Sequence, residues 1–378
     1  AVMVLFGAIF EGYIQQMKRS ALAMETAEAQ IHAKGYAEEP SLHAVMPDSA
    51  KVVEQLRSDG TAAVERLYGF GLVARGDSSA SAILRGLDLV NEPKVTRLHT
   101  AVATGKWLDK ADPHGVVLGK RLARTLGAKV GDELVVLSQA ADGSMADDLL
   151  TVRGVLRGVG ERIDRAGLLM PAASFRELMA LYEGAHEIVV QRPGGPHEDL
   201  EVLRAAMTAA APKHVVKTWP ELKPTLAEML VTSDASMAVM LLIAYMAVVT
   251  VVLNATLMSV FERIREFGIM KALGTTPQEV FKLVLAEALV QALFAAGIAL
   301  VVGGGITARL QVTGIDLSAW VSEMNFNGMT IPPMLEPTLT TSALLTPIIM
   351  LVIMVLLAAV YPGIKAARLR PLDAILHR

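Results

Sequence analysis

The chain alternates between long charge-free runs and ordinary mixed sequence. Residues 1–10, 235–261, 288–308 and 337–364 contain no Asp, Glu, Lys or Arg. A helix needs roughly 20 apolar residues to cross a hydrocarbon core of about 30 Å. Residues 237–258 meet that length, interrupted only by Thr250, Asn254 and Thr256. Residues 344–360 meet it too, with Pro347 as a tolerated kink near the start. Residues 283–308 meet it if Glu287 lies near one end. Residues 1–10 are too short alone and are read as the second half of a span. No basic segment precedes them and no clear small-residue cleavage site follows, so a secretory signal peptide is disfavoured.

Between the first two runs the pattern changes to short alternating segments. It predicts strands at 115–118, 168–170, 187–191 and 215–218, helices at 120–126, 172–182 and 198–210, and a hairpin of 133–138 with 149–156 around the turn Ala140-Ala141-Asp142-Gly143. That is a mixed α+β domain without an internal repeat. Its two ends read as helix. Ile14, Met17, Ala21, Met24, Glu28 and Ile31 step by three or four, as do Leu222, Leu226, Met229, Leu230, Ser233 and Met237. Two such helices can form a stalk on the membrane, or each can be an amphipathic helix packed on the domain.

The expected fold is a polytopic α-helical membrane protein with four transmembrane helices and a large α+β extracytoplasmic domain between helices 1 and 2. The divisions are 1–34 (first span and stalk), 35–220 (domain), 221–262 (stalk and second span), 263–282 (cytoplasmic loop), 283–308 (third span), 309–342 (outer loop), 343–364 (fourth span) and 365–378 (tail). Loop 262–282 and tail 365–378 each carry four Lys or Arg, whereas 309–336 carries one, which places the loop and tail in the cytoplasm.

Composition agrees with this division. Hydrophobic residues are 53 % and charged residues 19 % of the 378, but outside the four runs the charge density rises to about 25 %, that of soluble domains. The net charge of −3 argues against nucleic-acid binding. Cys is absent, so neither disulfides nor thiolate metal sites are expected, and no metal site is assigned. The segment 115–121 has the wrong spacing for a phosphate loop and lacks its Ser/Thr. The eight His are scattered, and no G-x-S-x-G occurs. No catalytic residue is nominated.

The loop after the second span, Glu262-Arg263-Ile264-Arg265-Glu266-Phe267-Gly268-Ile269-Met270-Lys271-Ala272-Leu273-Gly274, is charged, then apolar, and stops at a glycine. Thr276-Pro277 starts the next helix. Such a helix is either a handle for a cytoplasmic partner or a solvated interfacial helix. Glu287 is either an ion-paired interface residue or a functional intramembrane acid. Gly303, Gly304 and Gly305 indicate close packing or a kink. Phe6, Ile9, Phe10, Met237, Met240 and Met246 are candidates for a surface facing acyl chains, with plain core filling as the alternative.

The string E-R-x-R-E-x-G-x-x-x-A-L-G at 262–274, followed by Glu287-Ala288, resembles the FtsX-like permeases of ABC transporters. The tail Tyr361-Pro362 through Ala366-Ala367-Arg368-Leu369-Arg370-Pro371 is similar to their closing pattern, and 119–132 is similar to G-x-x-L-A-x-x-L-G-x-x-V-G-D of lipoprotein-releasing and macrolide-exporter permeases. The three motifs fall in the same order as in the family. The resemblance implies a bacterial inner-membrane permease, without cofactor of its own, that draws on ATP and Mg through a partner ABC ATPase dimer. It implies a second permease copy or paralogue, a lipoprotein or other amphipathic cargo, a periplasmic carrier, and contact with membrane lipids. Glu262, Arg263, Arg265, Glu266, Gly268, Lys271 and Gly274 would form the ATPase handle, with Arg368, Arg370 and Pro371 as a further contact. Lipoprotein extraction, macrolide-type efflux or peptide export, and activation of an outer hydrolase without transport are the three expected activities.

Overall fold

The computed structural model describes residues 1–36, 39–194, 199–316, 324–326, 329–331 and 334–370. It divides into a sheet unit (Gln16–Ala227 with Trp320–Pro333) and a helical unit (Ala1–Gln15, Glu228–Ala319 and Met334–Arg378).

The first helix, α1 (Val2–Met24), ends well before His32. Ala27 takes φ +52 and donates its N–H to the Leu22 carbonyl, closing the helix. The stripe that continues through Glu28 and Ile31 belongs instead to β1 (Ala29–His32), all four residues of which are buried. Its edges pair with β9 (Glu187–Gln191) and β10 (Val215–Thr218), segments some 160 to 190 positions away. That pairing outweighs local helix propensity, which is only a weak prior.

The remaining strands are β2 (Ala62–Arg75), β3 (Ser78–Leu87), β4 (Val102–Gly105), β5 (Gly115–Leu118), β6 (Glu133–Gln139), β7 (Met145–Leu156) and β8 (Gly167–Pro171). The 115–118 strand and the 133–156 hairpin expected from the pattern are present; the long β2–β3 hairpin is not evident in it. Pairings β2–β3, β3–β8, β8–β5, β5–β7, β7–β6 and β6–β2 return to their starting strand, a closed six-strand ring. Val73, Leu84, Leu118, Leu134, Val136, Leu150 and Met170 belong to its fully buried core. Full closure removes the exposed edges that an open sheet would leave. The helix expected over 172–182 is shorter, α-helical only over Ala172–Leu178, because Ala180 adopts φ +47.

A buried ion cluster ties the end of α1 to this sheet. Arg66 has no exposed side-chain surface. It donates to Glu92 (2.6 Å), to Glu187 (3.1 Å) and to the Glu25 carbonyl (2.6 Å). Arg85 donates to the Glu25 carboxylate at 2.8 Å, and Lys223 reaches the same carboxylate at 3.4 Å. Burial alone would raise the Glu25 pKa; Arg85, Lys223 and Arg66 outweigh it and hold it at about 2. Nearby, His186 is buried and held down to about 4 by desolvation, against a smaller opposing pull from its bond to the Leu42 carbonyl. The Tyr68 N–H donates to His186 Nδ1 (3.1 Å), so Nε2 is the nitrogen that donates to Leu42 O (3.0 Å). One donor and one acceptor nitrogen define a neutral imidazole.

In the helical unit, α2 (Pro224–Glu262) is one unbroken helix of 39 residues from its start in the sheet unit. At 1.5 Å per residue it is about 58 Å long, nearly twice a hydrocarbon core. It is followed by α3 (Ile264–Ala272), α4 (Pro277–Ile298), a π-helical turn over Ala299–Gly303, α5 (Gly304–Thr313) and α6 (Thr341–Ala367). Thr276 and Glu279 form a reciprocal cap on α4, with Pro277 in its first turn. Helices α4 and α6 pack through Ala288, Ala292, Val355 and Ala359. Tyr245 on α2 donates its hydroxyl to the Pro347 carbonyl at 2.9 Å.

Gly303 lies in the π turn, and a side chain there would meet Ala1 Cα at 3.0 Å. Close packing therefore explains this glycine; Gly305 has open space instead. A side chain at Gly12 would collide with the Glu336 carbonyl, and Thr338 N–H donates to Ala8 O (3.0 Å). Among the described residues three helices are long and apolar enough to cross a membrane: Pro224–Glu262, Pro277–Thr313 and Ala343–Ala367. The expected count was four. Helix α1 is not among the three, and it carries Glu11, Lys18 and Arg19. Within 309–336, Met324–Phe326 and Met329–Ile331 pair as a short antiparallel hairpin.

Candidate functional site

The chain breaks between α2 and α3 at Arg263 (φ −101, ψ 15), and this residue fastens the break. Its Nε donates to Glu266 at 2.8 Å and its Nη1 to Glu287 on α4 at 3.0 Å. Its guanidinium also lies 5.6 Å from the Phe267 ring. Phe267 is buried with Val260, Val280, Val284 and Ala366, so α3 is seated on three other helices. At the far end of α3, Lys271 Nζ donates to the carbonyls of Ala367 (2.8 Å) and Leu369. These lie at the C-terminus of α6, where carbonyls lack intrahelical donors and a cation is favoured. Gly274, at φ +106, then permits the reversal into α4.

Seating one face leaves the other free. Glu262, Arg265, Glu266, Ile269, Ala272 and Leu273 are all exposed, at steps of three and four. Leu273 is 84 % exposed and Ile269 47 %. The ridge is thus charged at its start and apolar at its end. Of the residues expected to contact a partner, Glu262, Arg265, Glu266 and Gly274 face outward. Arg263 and Lys271 are occupied by bonds to the helices behind them, and Gly268 is buried. Sequence reasoning passed over Ile269 and Leu273, although their spacing from Glu262 and Arg265 marks the same face.

Glu287 is paired with Arg263 at 3.0 Å. With Arg263, Thr256, Ser259 and Gln291 it lines a cavity of about 180 Å³ between α2 and α4. Both partners of the pair are about 40 % exposed. Among the acyl-facing candidates, Met240 and Met246 are exposed, each 56 %, beside exposed Val239, Leu242 and Ile243. Met237, Phe6, Ile9 and Phe10 are half-buried. In the tail, Arg368 and Arg370 are exposed, and Pro371 lies outside the described residues. Among the described residues no group of three His, Cys, Asp or Glu is placed to hold a metal.

Comparison with known families accounts for both units. The FtsX-like permease C-terminal family matches residues 238–371. The MacB-like periplasmic core domain family matches residues 1–210, more than half of the chain. The chain belongs to the FtsX-like permeases of ABC transporters, with a MacB-like periplasmic core domain. It is 22 % identical to the lipoprotein-releasing system transmembrane protein LolC of Xylella fastidiosa strain 9a5c over 391 aligned positions, covering 99 % of this chain and 90 % of LolC. The LolC of strain Temecula1 gives the same identity and coverage. Among solved structures, the periplasmic region of MacB from Actinobacillus actinomycetemcomitans aligns with 55 % of this chain and 94 % of its own length, at 13 % identity and a TM-score of 0.41. The extracellular domain of YknZ from Gram-positive bacteria aligns with 51 % of this chain and 99 % of its own, at 14 % identity and a TM-score of 0.36.

The FtsX-like permease is a multi-pass protein of the inner membrane whose sheet unit is periplasmic. Helix α2 therefore leaves the periplasm and ends on the cytoplasmic side. The α3 ridge and the C-terminus of α6, joined by Lys271, share that side. Permeases of this family are not themselves catalytic.

Proposed function

We propose that this permease works with a cytoplasmic ATPase dimer that grips the α3 ridge, and that ATP-driven movement passes along α1 and α2 to the periplasmic domain. Four spans per chain, with the helix begun at residues 1–10 as the first, complete the arrangement. A second permease copy or paralogue supplies the other half. The observation that carries the reading is the two-sided character of α3. Its inner face is fixed to α4 and α6 through Arg263–Glu287 and Lys271, while its outer face offers exposed Arg265, Ile269 and Leu273. A handle needs both properties: rigid attachment behind and a contact surface in front. The unbroken 39 residues of α2 supply a stiff link beyond the bilayer.

The cargo we assign is a lipoprotein drawn from the outer leaflet of the inner membrane and passed to a periplasmic carrier. Similarity to LolC along 99 % of the chain favours it. Macrolide-type efflux or peptide export is the second reading, favoured by the match of the periplasmic half to the MacB-like domain. Activation of a periplasmic hydrolase without transport is the third.

Changing Ile269 and Leu273 together to Asp tests the handle. A well-buried apolar anchor at an interface carries about 2 kcal/mol or more, so ATPase retention on affinity-purified permease should fall at least about tenfold with membrane insertion unchanged. Undiminished retention would overturn the assignment. Mass spectrometry of material bound to the intact complex separates the cargo readings: lipid-modified proteins support release, and their absence alongside bound drugs or peptides supports export.

A further inference from the structure

The cytoplasmic end of α6 has a second outward face, distinct from the α3 ridge. Ala359, Pro362, Gly363 and Ala366 turn inward, and a side chain at Gly363 would meet the Phe281 ring of α4 at 3.0 Å. Tyr361, Ile364, Lys365 and Arg368 occupy the opposite side at helical spacing. With Leu369 they line an open concavity of about 380 Å³. Tyr361 is 56 % exposed and Ile364 40 %.

The charges here differ from Arg263 and Lys271 at the two ends of α3. Arg263 and Lys271 are each held by oxygen acceptors. Among the described residues, no carboxylate lies within ion-pair reach of Lys365 or Arg368. The Lys365 ammonium instead stands 4.5 Å from the ring of Phe261, in the last turn of α2. That contact orients a cation without neutralising it. The result is two cations one helical turn apart that no carboxylate among the described residues compensates, beside an aromatic hydroxyl and an aliphatic wall.

The depth of this site selects its ligand. Helix α6 spans the membrane and ends at Ala367, so Tyr361 to Arg368 lie where the chain passes from hydrocarbon to cytoplasm. Tyr is favoured at that boundary, and anionic lipids concentrate basic residues at the cytoplasmic leaflet. We propose that Lys365 and Arg368 bind the phosphodiester of an anionic phospholipid of the inner leaflet, with Tyr361 and Ile364 against its glycerol and first methylenes. Arg368 was expected from the family resemblance to touch the ATPase; the proposal assigns it to lipid. It depends only on the orientation of the chain and not on the proposed handle.

The test uses the full chain, purified in detergent and titrated with phosphatidylglycerol or phosphatidylcholine, with bound lipid counted by native mass spectrometry. The variants are Lys365→Gln with Arg368→Gln, and Lys282→Gln as a cytoplasmic charge control. Each basic residue near an anionic surface is worth enough that losing two predicts about a thirtyfold weaker affinity for phosphatidylglycerol. Phosphatidylcholine binding and the control should be unchanged. Phe261→Ala, which removes the ring beneath Lys365, should give a smaller loss in the same direction. Equal phosphatidylglycerol affinity in wild type and double variant would overturn the proposal. So would displacement of the lipid by equimolar inorganic phosphate. Loss of ATPase retention with lipid binding intact would also overturn it, by assigning the face to protein.

Discussion

Two arginines organise the two units of this permease, and they do so in opposite environments. Arg66 sits inside the periplasmic domain with no exposed side-chain surface, held by Glu92, Glu187 and the Glu25 carbonyl. Arg263 sits at the cytoplasmic end of α2, 39 % exposed, held by Glu266 and Glu287. Both join segments distant in sequence. A buried pair, once formed, is very costly to break from one side, because the remaining charge is stranded. A half-exposed pair is screened and can exchange for water or another partner at a cost of about 1 kcal/mol or less. The periplasmic cluster therefore fixes one arrangement of its domain. The cytoplasmic cluster holds α3 against α4 through a pair that can exchange for water, which suits the handle role proposed for it.

Breaking the comparison at its strong end gives the largest expected effect. Arg66→Ala should destabilise the periplasmic domain by about 3–5 kcal/mol, since Glu92 and Glu187 would stay buried without their cation. Chemical denaturation of the purified chain, followed by the periplasmic Trp107 and Trp219, measures this; a loss under 1 kcal/mol would show the cluster to be peripheral.

The pH response is the next in size. Folded His186 titrates near 4, below its ordinary 6.5, so the unfolded chain takes the proton first. Its contribution is complete above about pH 6.5 and is lost as pH falls toward 4. Glu25 is also depressed, to about 2, so its contribution is present above 4.5 and is lost as pH falls through 2. Periplasmic-domain stability should decline in two stages on acidification. His186→Gln should remove the upper stage and spare the lower.

The smallest effect belongs to the cytoplasmic pair. Glu287→Gln should change thermal stability by no more than about 1 kcal/mol. Under the proposed function it should nevertheless lower the yield of work per ATP hydrolysed, because α3 loses one of its two polar fastenings. Unchanged coupling in that variant would mean Lys271 and Phe267 suffice to hold the helix.

The parts of the molecule legible in its sequence share one property: they depend on neighbours close along the chain. The apolar runs that became α2, α4 and α6 needed only length and absence of charge. The β6–β7 hairpin needed alternation and a Gly-containing turn. The Thr276-Pro277 start of α4 and the Gly274 reversal were likewise local. The misreadings came from partners far away. Residues 29–32 carried a helical stripe, yet Ile31 is paired between Ile188 and Val216. The β2–β3 hairpin was overlooked because β2 is covered on both faces near one end, which erases alternation.

At the candidate site the same division holds. The motif at 262–274 located the short helix α3 and the reversal after it. It did not separate Arg263 and Lys271, which face inward, from Ile269 and Leu273, which face outward. Nothing in the string distinguishes a cation that caps another helix from one left in solvent. By itself, then, the amino-acid sequence determined the three long apolar helices, the family and the position of the short charged helix after α2, because these follow from local hydrophobicity, charge and short-range helix signals. The tertiary structure decided the closed strand ring, the burial of Arg66, the pairing of Glu287 and the exposed faces of α3 and α6. Each of those depends on which distant groups meet once the chain is packed, and on the desolvation and pairing that result.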